Sequence, residues 1–485
     1  MFGALTRNVG AVAVARLATT AGSVGANILV AWMLSRDSAG LFQKAVVALQ
    51  MAVQAGAFGI QTSLYYFLPR VTEDGKRGLI GQSLAVLSLI GLVVCVLLFA
   101  CAGRLALWMN DPLLEPLLRA AAFAVLLSLP AVVSDPIFIA HDRARRAAAV
   151  AIASSMAQLA LTAYALWMHM PLEWLFGAMA VAALIRLLPA LGFASRAFAQ
   201  GSWLGWRRQL FLQQAAYILP VGITSVFDTL SSWLDRTLVS HYYDAASFAT
   251  YAYGAIEVPF IPMLIGAVTP VLLPRFSAML KDGGGRAGVL DLWHRAAFKA
   301  AIILLPMFFV FMWTAPDFLT VLYSPKYRDS APYFRIYLVL LPVRIVAFMP
   351  LLFALGRAKY VMAGAAGEVC LNLAASLFLM RVAGLGMAGA ACGTVVSTLC
   401  QVAFYLWGIR HSLDVPWRAI LPWRALGAEF ATSGVLLLPL AFLLFLRAPP
   451  AAPVAALWRL AVAAVCFCVY AWFRILPRIR AAINV

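Results

Sequence analysis

The chain has 485 residues, of which 64% are hydrophobic and 12% charged, with a formal net charge of +18. Soluble globular proteins are about half apolar and about a quarter charged, so this composition excludes a soluble enzyme, a disordered chain and a nucleic-acid-binding domain. The basic excess, 37 Lys and Arg against 19 Asp and Glu, fits basic loops beside a membrane rather than a nucleic-acid partner.

At the N-terminus, Arg7 followed by small apolar residues has the composition of a signal peptide. The apolar stretch runs on to Met33, however, with Arg16 in its middle, whereas a signal core is about 7–15 uninterrupted apolar residues. Residues 9–33 are read as a retained transmembrane helix. A crossing helix needs about 20 mostly apolar residues. Further spans on that ruler are 40–68, 79–102, 116–140, 148–169, 175–197, 213–241, 248–273, 296–318, 332–354, 361–382, 387–409, 426–447 and 456–475. The expected fold is thus an all-α polytopic membrane protein of about 14 transmembrane helices. Loops are short, the longest being the polar, Gly-rich stretch around Lys281 and Arg286, so no separate soluble domain fits.

One set of alternate loops carries 22 Lys and Arg, the opposite set seven. The positive-inside rule then places both termini in the cytoplasm. The seven cysteines lie mostly within apolar runs and form no Cys-x-x-Cys, a pattern that fits small core residues better than disulfides or zinc ligands.

The chain is also written twice. Arg16, Thr20, Ser23 and Asn27 form one helical face, and Thr224, Asp228, Ser231 and Asp235 repeat it 208 residues later. Leu68-Pro69-Arg70 and Leu273-Pro274-Arg275 close the second and eighth spans, and Arg143-Ala144-Arg145 and Arg357-Ala358-Lys359 follow the fourth and tenth. The expected division is a six-helix lobe over 1–205, a second over 206–412 and two additional helices over 413–485. Repeats in one orientation imply an axis along the membrane normal, a substrate site between the lobes and alternating access. The last two helices, Leu/Ala-rich with few polar groups, read as a lipid-facing addition.

Four motifs recur in order: Leu34-Ser35-Arg36-Asp37-Ser38-Ala39-Gly40-Leu41-Phe42, Trp233-Leu234-Asp235-Arg236, Leu322-Tyr323-Ser324-Pro325-Lys326-Tyr327 and Gly384-Leu385-Gly386-Met387-Ala388-Gly389-Ala390-Ala391. On these, residues 9–409 resemble the polysaccharide transporter family of the multidrug/oligosaccharidyl-lipid/polysaccharide exporter superfamily. The resemblance implies a flippase moving undecaprenyl-diphosphate-linked sugar units from the cytoplasmic to the periplasmic leaflet of a bacterial inner membrane, for O-antigen, capsule or exopolysaccharide. It implies lipid-linked oligosaccharide, membrane lipids, polysaccharide polymerase and chain-length proteins as partners, and no nucleic acid.

Eight basic residues fall within spans: Arg16, Lys44, Arg119, Arg186, Arg236, Lys299, Arg335 and Arg344. Facing lipid they would together cost on the order of 20 kcal/mol or more, so they face a wet cavity, pair internally or snorkel. Arg16 lacks a same-face acid and Arg344 lies within the tenth span, which makes each a candidate unpaired cation. Gln43, Gln50, Gln54, Gln61 and Tyr65, spaced by 7, 4, 7 and 4, form a narrow stripe on a continuous helix. The expected substrate-binding residues are Arg16, Asn27, Lys44, Gln50, Gln54, Gln61, Arg236 and Arg344. Asp228, Asp235 and Glu257 are the expected ion-coupling acids. Asp317 and Glu429, at span ends, are expected to reach water, and Pro259 and Pro262 to kink the eighth span. Cations suit a diphosphate, and amides and aromatics suit sugars.

The alternatives are a lipid II flippase and a cation-coupled multidrug exporter, the latter wanting a cavity dominated by acids. A membrane glycosyltransferase or polymerase would need a larger extramembrane loop, so no enzymatic role is expected. With no P-loop and no zinc-like His pairing, neither is a cofactor.

Overall fold

A chain with no water around its middle must satisfy its backbone groups internally, and long apolar runs do so as helices. The computed structural model describes residues 2–141, 143–198, 201–203, 205–258, 272–273, 275–280, 285–346, 348–446, 453–475 and 477; side chains are described from residue 17 on, except at 440–446, 453 and 475. Among the described residues there is no strand.

The helices of the first half are α1 (Phe2–Met33), α2 (Arg36–Ala57), α3 (Ile60–Phe67), α4 (Glu73–Trp108), α5 (Glu115–Ala131), α6 (Ser134–Ala140), α7 (Ala144–Trp167), α8 (Glu173–Ala197), α9 (Arg208–Tyr242) and α10 (Ala245–Gly254). Those of the second half are α11 (Gly285–Tyr323), α12 (Ala331–Leu338), α13 (Phe348–Ala354), α14 (Ala358–Leu377), α15 (Met387–Leu413), α16 (Trp423–Leu446) and α17 (Pro453–Tyr470). Among the described residues, ten helices or helix pairs are long and apolar enough to cross a membrane, eleven if the broken pair at 325–354 is one span. Every expected span begins on a helix or a broken helix; the eighth leaves its helix at Gly254, runs irregular to Val258, and then passes into residues outside the description. The all-α polytopic fold is as expected.

Three spans expected to be continuous are broken. The second separates into α2 and α3 at Phe58 and Gly59, whose φ angles of 42° and 74° are left-handed. The Phe58 ring lies on Gly222 of α9, where an added Cβ would come within 2.4 Å of it. Only a glycine leaves room for that ring. The fourth span breaks between α5 and α6, just past Pro130. The tenth is interrupted by a 3-10 turn, Leu341–Ile345, that carries Pro342 and Arg344. Proline removes a backbone donor and clashes with the preceding turn.

The chain divides into two units, Met1–Ala249 and Thr250–Val485. In the first, α5 is the core helix: Leu117, Leu118, Ala121, Ala122, Val125 and Leu129 are buried where it packs on α2, α4 and α8. Ser35 caps α2, its Oγ accepting from Ser38 N at 3.1 Å, and Asp244 caps α10, its Oδ1 accepting from Ser247 N at 2.8 Å. Such caps contribute about 1 kcal/mol each. At Gly40 the two capped turns meet, with room for no side chain against the Ala245 carbonyl.

In the second unit α11 is central, burying Trp293, Ala301, Leu304, Leu305 and Leu319. Both α16 and α17 lie against it through Ile302, Leu437 and Tyr470. Their outer faces are exposed and apolar, as at Val435, Leu438 and Val465. Their inner faces are not, which corrects the expectation of helices with little polar content. Arg459 of α17 binds Asp317 of α11 at 2.7 Å with both side chains nearly buried. Tyr470 donates to Glu429 at 3.1 Å and lies 3.0 Å from Ser433 Oγ. Asp317 and Glu429, expected to reach water, are 6% and 3% exposed. Polar contacts inside a bilayer hold helices together where apolar surface cannot.

Candidate functional site

The polar face of the first unit is built by α1, α2, α3 and α9. On α2 Gln50 is half-buried and Gln54 exposed; on α3 Gln61 is half-buried and Tyr65 exposed. A single stripe requires an unbroken helix, and the left-handed break at Phe58–Gly59 resets its phase, so Gln61 and Tyr65 form a second, separately oriented group. Opposite Gln54, Trp233 of α9 donates its indole N–H to the amide oxygen at 3.5 Å. The Arg236 guanidinium lies over the Trp233 ring, 4.9 Å from its centroid. A cation–π contact with water in reach is worth about 0.5–1 kcal/mol, and it orients this guanidinium on the ring that meets Gln54. Asp228, seven residues before Asp235 on the same face of α9, is exposed, whereas Asp235 is 1% exposed. Neither acid, nor Arg236, is without a partner.

Asn27 is tied to the α2 stripe directly. Gln43 donates to Asn27 Oδ1 at 2.9 Å, and Asn27 donates to the Ser23 carbonyl at 3.0 Å. The Arg16 side chain lies outside the described residues.

Lys44 departs from its expected cavity position. Its side chain is fully buried, its ammonium donating to the Met109 carbonyl at 2.8 Å and the Tyr243 carbonyl at 2.9 Å. Asp111 sits 3.8 Å away. Those carbonyls end α4 and α9, so the cation complements two helix C-termini at once. The physical reason is position: about two turns into α2, Lys44 can reach both ends, and burial there holds three chain segments together.

Arg344 also departs from expectation. It is not an unpaired cation, because its guanidinium binds the Glu257 carboxylate. The pair lines a small cleft with Val258, Tyr337 and Leu341. Glu257, expected as an ion-coupling acid, is thereby neutralised. Arg186 of α8 pairs with Asp135 of α6 at 3.0 Å, and Arg335 donates to the Met312 carbonyl at 3.0 Å. Most span cations are thus satisfied internally. Pro259, Pro262 and Lys281 lie outside the described residues. Among the described residues, no three His, Cys, Asp or Glu side chains cluster to hold a metal ion.

A buried amide network escaped the sequence reading. Gln214 of α9 donates to Ser63 of α3 and Ser83 of α4, each at 2.9 Å, and accepts from Gln82 at 3.0 Å. All four side chains are buried. Polar residues interrupting the apolar run of α4 at Gln82-Ser83 were the available signal, but their shared partner, Gln214, sits 132 and 131 residues away.

The polysaccharide biosynthesis protein family model matches residues 5–280. The chain belongs to that family. A sequence comparison with curated proteins returns no match. Among solved structures, the inward closed conformation of the lipid II flippase MurJ superposes with a TM-score of 0.74 at 13% identity, covering 96% of this chain and 99% of that one. An inward-facing multidrug resistance MATE family transporter of the MOP superfamily gives 0.69 at 14% identity, covering 82% and 98%. A MOP superfamily transporter from Pyrococcus furiosus gives 0.60 at 14%, covering 85% and 96%. At such identities the likeness is one of fold: this is a multi-pass membrane protein with the architecture of these transporters.

Proposed function

We propose that the protein is a flippase rather than an enzyme. It moves undecaprenyl-diphosphate-linked oligosaccharide units from the cytoplasmic to the periplasmic leaflet for cell-surface polysaccharide. Two lobes, 1–205 and 206–412, alternate in access around a hydrated cationic cavity, and both termini face the cytoplasm. The observation that carries this reading is the half-wet face of α2, α3 and α9. There Gln54 meets Trp233, on whose ring Arg236 lies, Gln50 precedes it by one turn of α2, and Gln61 adds an amide from α3. Amides and aromatic faces bind sugars, and a guanidinium binds phosphate. Arg16 and Asn27 extend this set, and Asp228 and Asp235 are its proposed ion-coupling acids. Membership of a polysaccharide biosynthesis family supports a glycan unit over lipid II as cargo.

The test is reconstitution of the full chain in liposomes with a short-chain polyprenyl-diphosphate oligosaccharide. Protein-dependent movement of this lipid to the opposite leaflet, with no movement of cationic dyes, is the expected result. Dye transport without lipid movement would establish a multidrug exporter instead, and faster movement of lipid II would establish that cargo.

A further inference from the structure

The Leu-Pro-Arg motif that ends the second span has no part in the site above, yet its arginine is seated on an aromatic stack. Arg70 stacks its guanidinium on the Tyr66 ring, 3.8 Å from the centroid. It donates one N–H to the Tyr66 carbonyl at 2.6 Å. Tyr66 is itself backed by Tyr217 of α9 in a parallel stack at 4.7 Å, and Phe67 meets both rings edge-on. The guanidinium plane is therefore fixed before any ligand arrives.

Its charge is also uncompensated. The two acids that follow are spent on other cations: Glu73 binds Lys76 and Asp74 binds Arg207, each at 2.5 Å. Among the described residues no carboxylate pairs with Arg70, whose side chain is exposed. A guanidinium has five N–H donors, and here one is used. A capping role alone explains the bond to Tyr66 but not the aromatic seat. The repeat makes the same point. In the second copy, Leu273-Pro274-Arg275, the residue at the Tyr66 position is Val271. The arginine recurs in the sequence, but the tyrosine four residues before it does not.

We infer that Arg70, held on the Tyr66–Tyr217 stack, is the docking cation for the diphosphate of the lipid-linked substrate at the mouth of the first unit. This rests on the flippase reading. The planar fork matches two phosphate oxygens at once, and a pre-ordered side chain loses little freedom on binding.

The test uses the full chain in neutral-lipid nanodiscs, with binding of undecaprenyl diphosphate, undecaprenol and phosphatidylglycerol measured by native mass spectrometry. The natural protein should prefer the diphosphate over undecaprenol. Arg70→Gln should lower diphosphate affinity about tenfold while leaving undecaprenol unchanged, the scale of one charge-assisted phosphate contact. Arg70→Lys should fall between, keeping charge without the fork. Tyr217→Leu, which removes the backing ring and no charge, should cost about threefold, and it decides the matter if Arg70→Gln does not fold. Retention of the diphosphate preference within twofold in Arg70→Gln, or in Tyr217→Leu where that variant decides, overturns the assignment alone. Equal losses for diphosphate and phosphatidylglycerol overturn it in favour of an ordinary lipid headgroup contact. No preference in the natural protein overturns both this assignment and the flippase reading.

Discussion

Replacing Lys44 with Met removes a charge and keeps most of the volume. The ammonium has two charge-assisted bonds to carbonyls, at 2.8 and 2.9 Å, and a carboxylate at 3.8 Å. Two lost hydrogen bonds of this kind, with the acceptors left buried, cost about 3–5 kcal/mol. In a unit of this size that lowers the unfolding midpoint on the order of 5–15 °C. The change also acts on Asp111, between α4 and α5. Burial already pushes its carboxyl above the usual range, and Lys44 opposes that push. Without the ammonium the folded-state value rises further. A carboxyl with a raised folded pKa destabilises the folded state as pH climbs past its unfolded value of about 3.9, so acidification returns stability. Lys44→Met in detergent should therefore lose less, relative to the natural protein, at about pH 5 than at about pH 7.5. A midpoint within about 2 °C of the natural protein at both pH values would refute the clamp.

Other perturbations follow from the packing. Gly222→Ala places a methyl against the Phe58 ring, which it would approach to 2.4 Å; overpacking of this kind costs about 1–3 kcal/mol, read as a lowered thermal midpoint. Gln214→Leu strands Gln82 and removes the donor to Ser63 and Ser83, and a loss of about 2–4 kcal/mol is expected by the same measurement. Arg459→Ala leaves Asp317 buried without its cation; it should cost about 3–5 kcal/mol and expose α17 to protease, with Asp317→Asn in the same chain restoring part.

Helix positions were legible because a membrane span needs only length and apolarity, which are local properties. Their breaks were less so. Pro130 and Pro342 announce themselves, but Phe58 enters the left-handed region because its ring docks on Gly222, 164 residues away. The glutamines of α2 were found by spacing, and Gln54 does meet Trp233. Spacing on one helix cannot show which residue waits on another. That is why Lys44 and Arg344 read as open cations, and why the Gln82–Gln214 pair was not seen.

The misread charges share one cause. A sequence counts cations within spans but not their partners, and the two numbers diverge because a bilayer penalises every unpaired charge. Arg186 and Arg459 each hold an acid from another helix, Arg344 holds Glu257 from the segment after α10, and Lys44 holds two helix ends. These cations build the frame and cannot also carry a diphosphate, since the phosphate would have to displace a bonded partner. A transported anion must instead use cations whose mounting is not a carboxylate. Arg70 on Tyr66 meets that condition through an aromatic face. An aromatic seat orients a guanidinium and leaves its N–H edges open, whereas a carboxylate orients it by occupying those edges. On the proposed flippase reading, the choice of seat therefore distinguishes the cations that hold the helices together from Arg70, the one proposed to dock cargo.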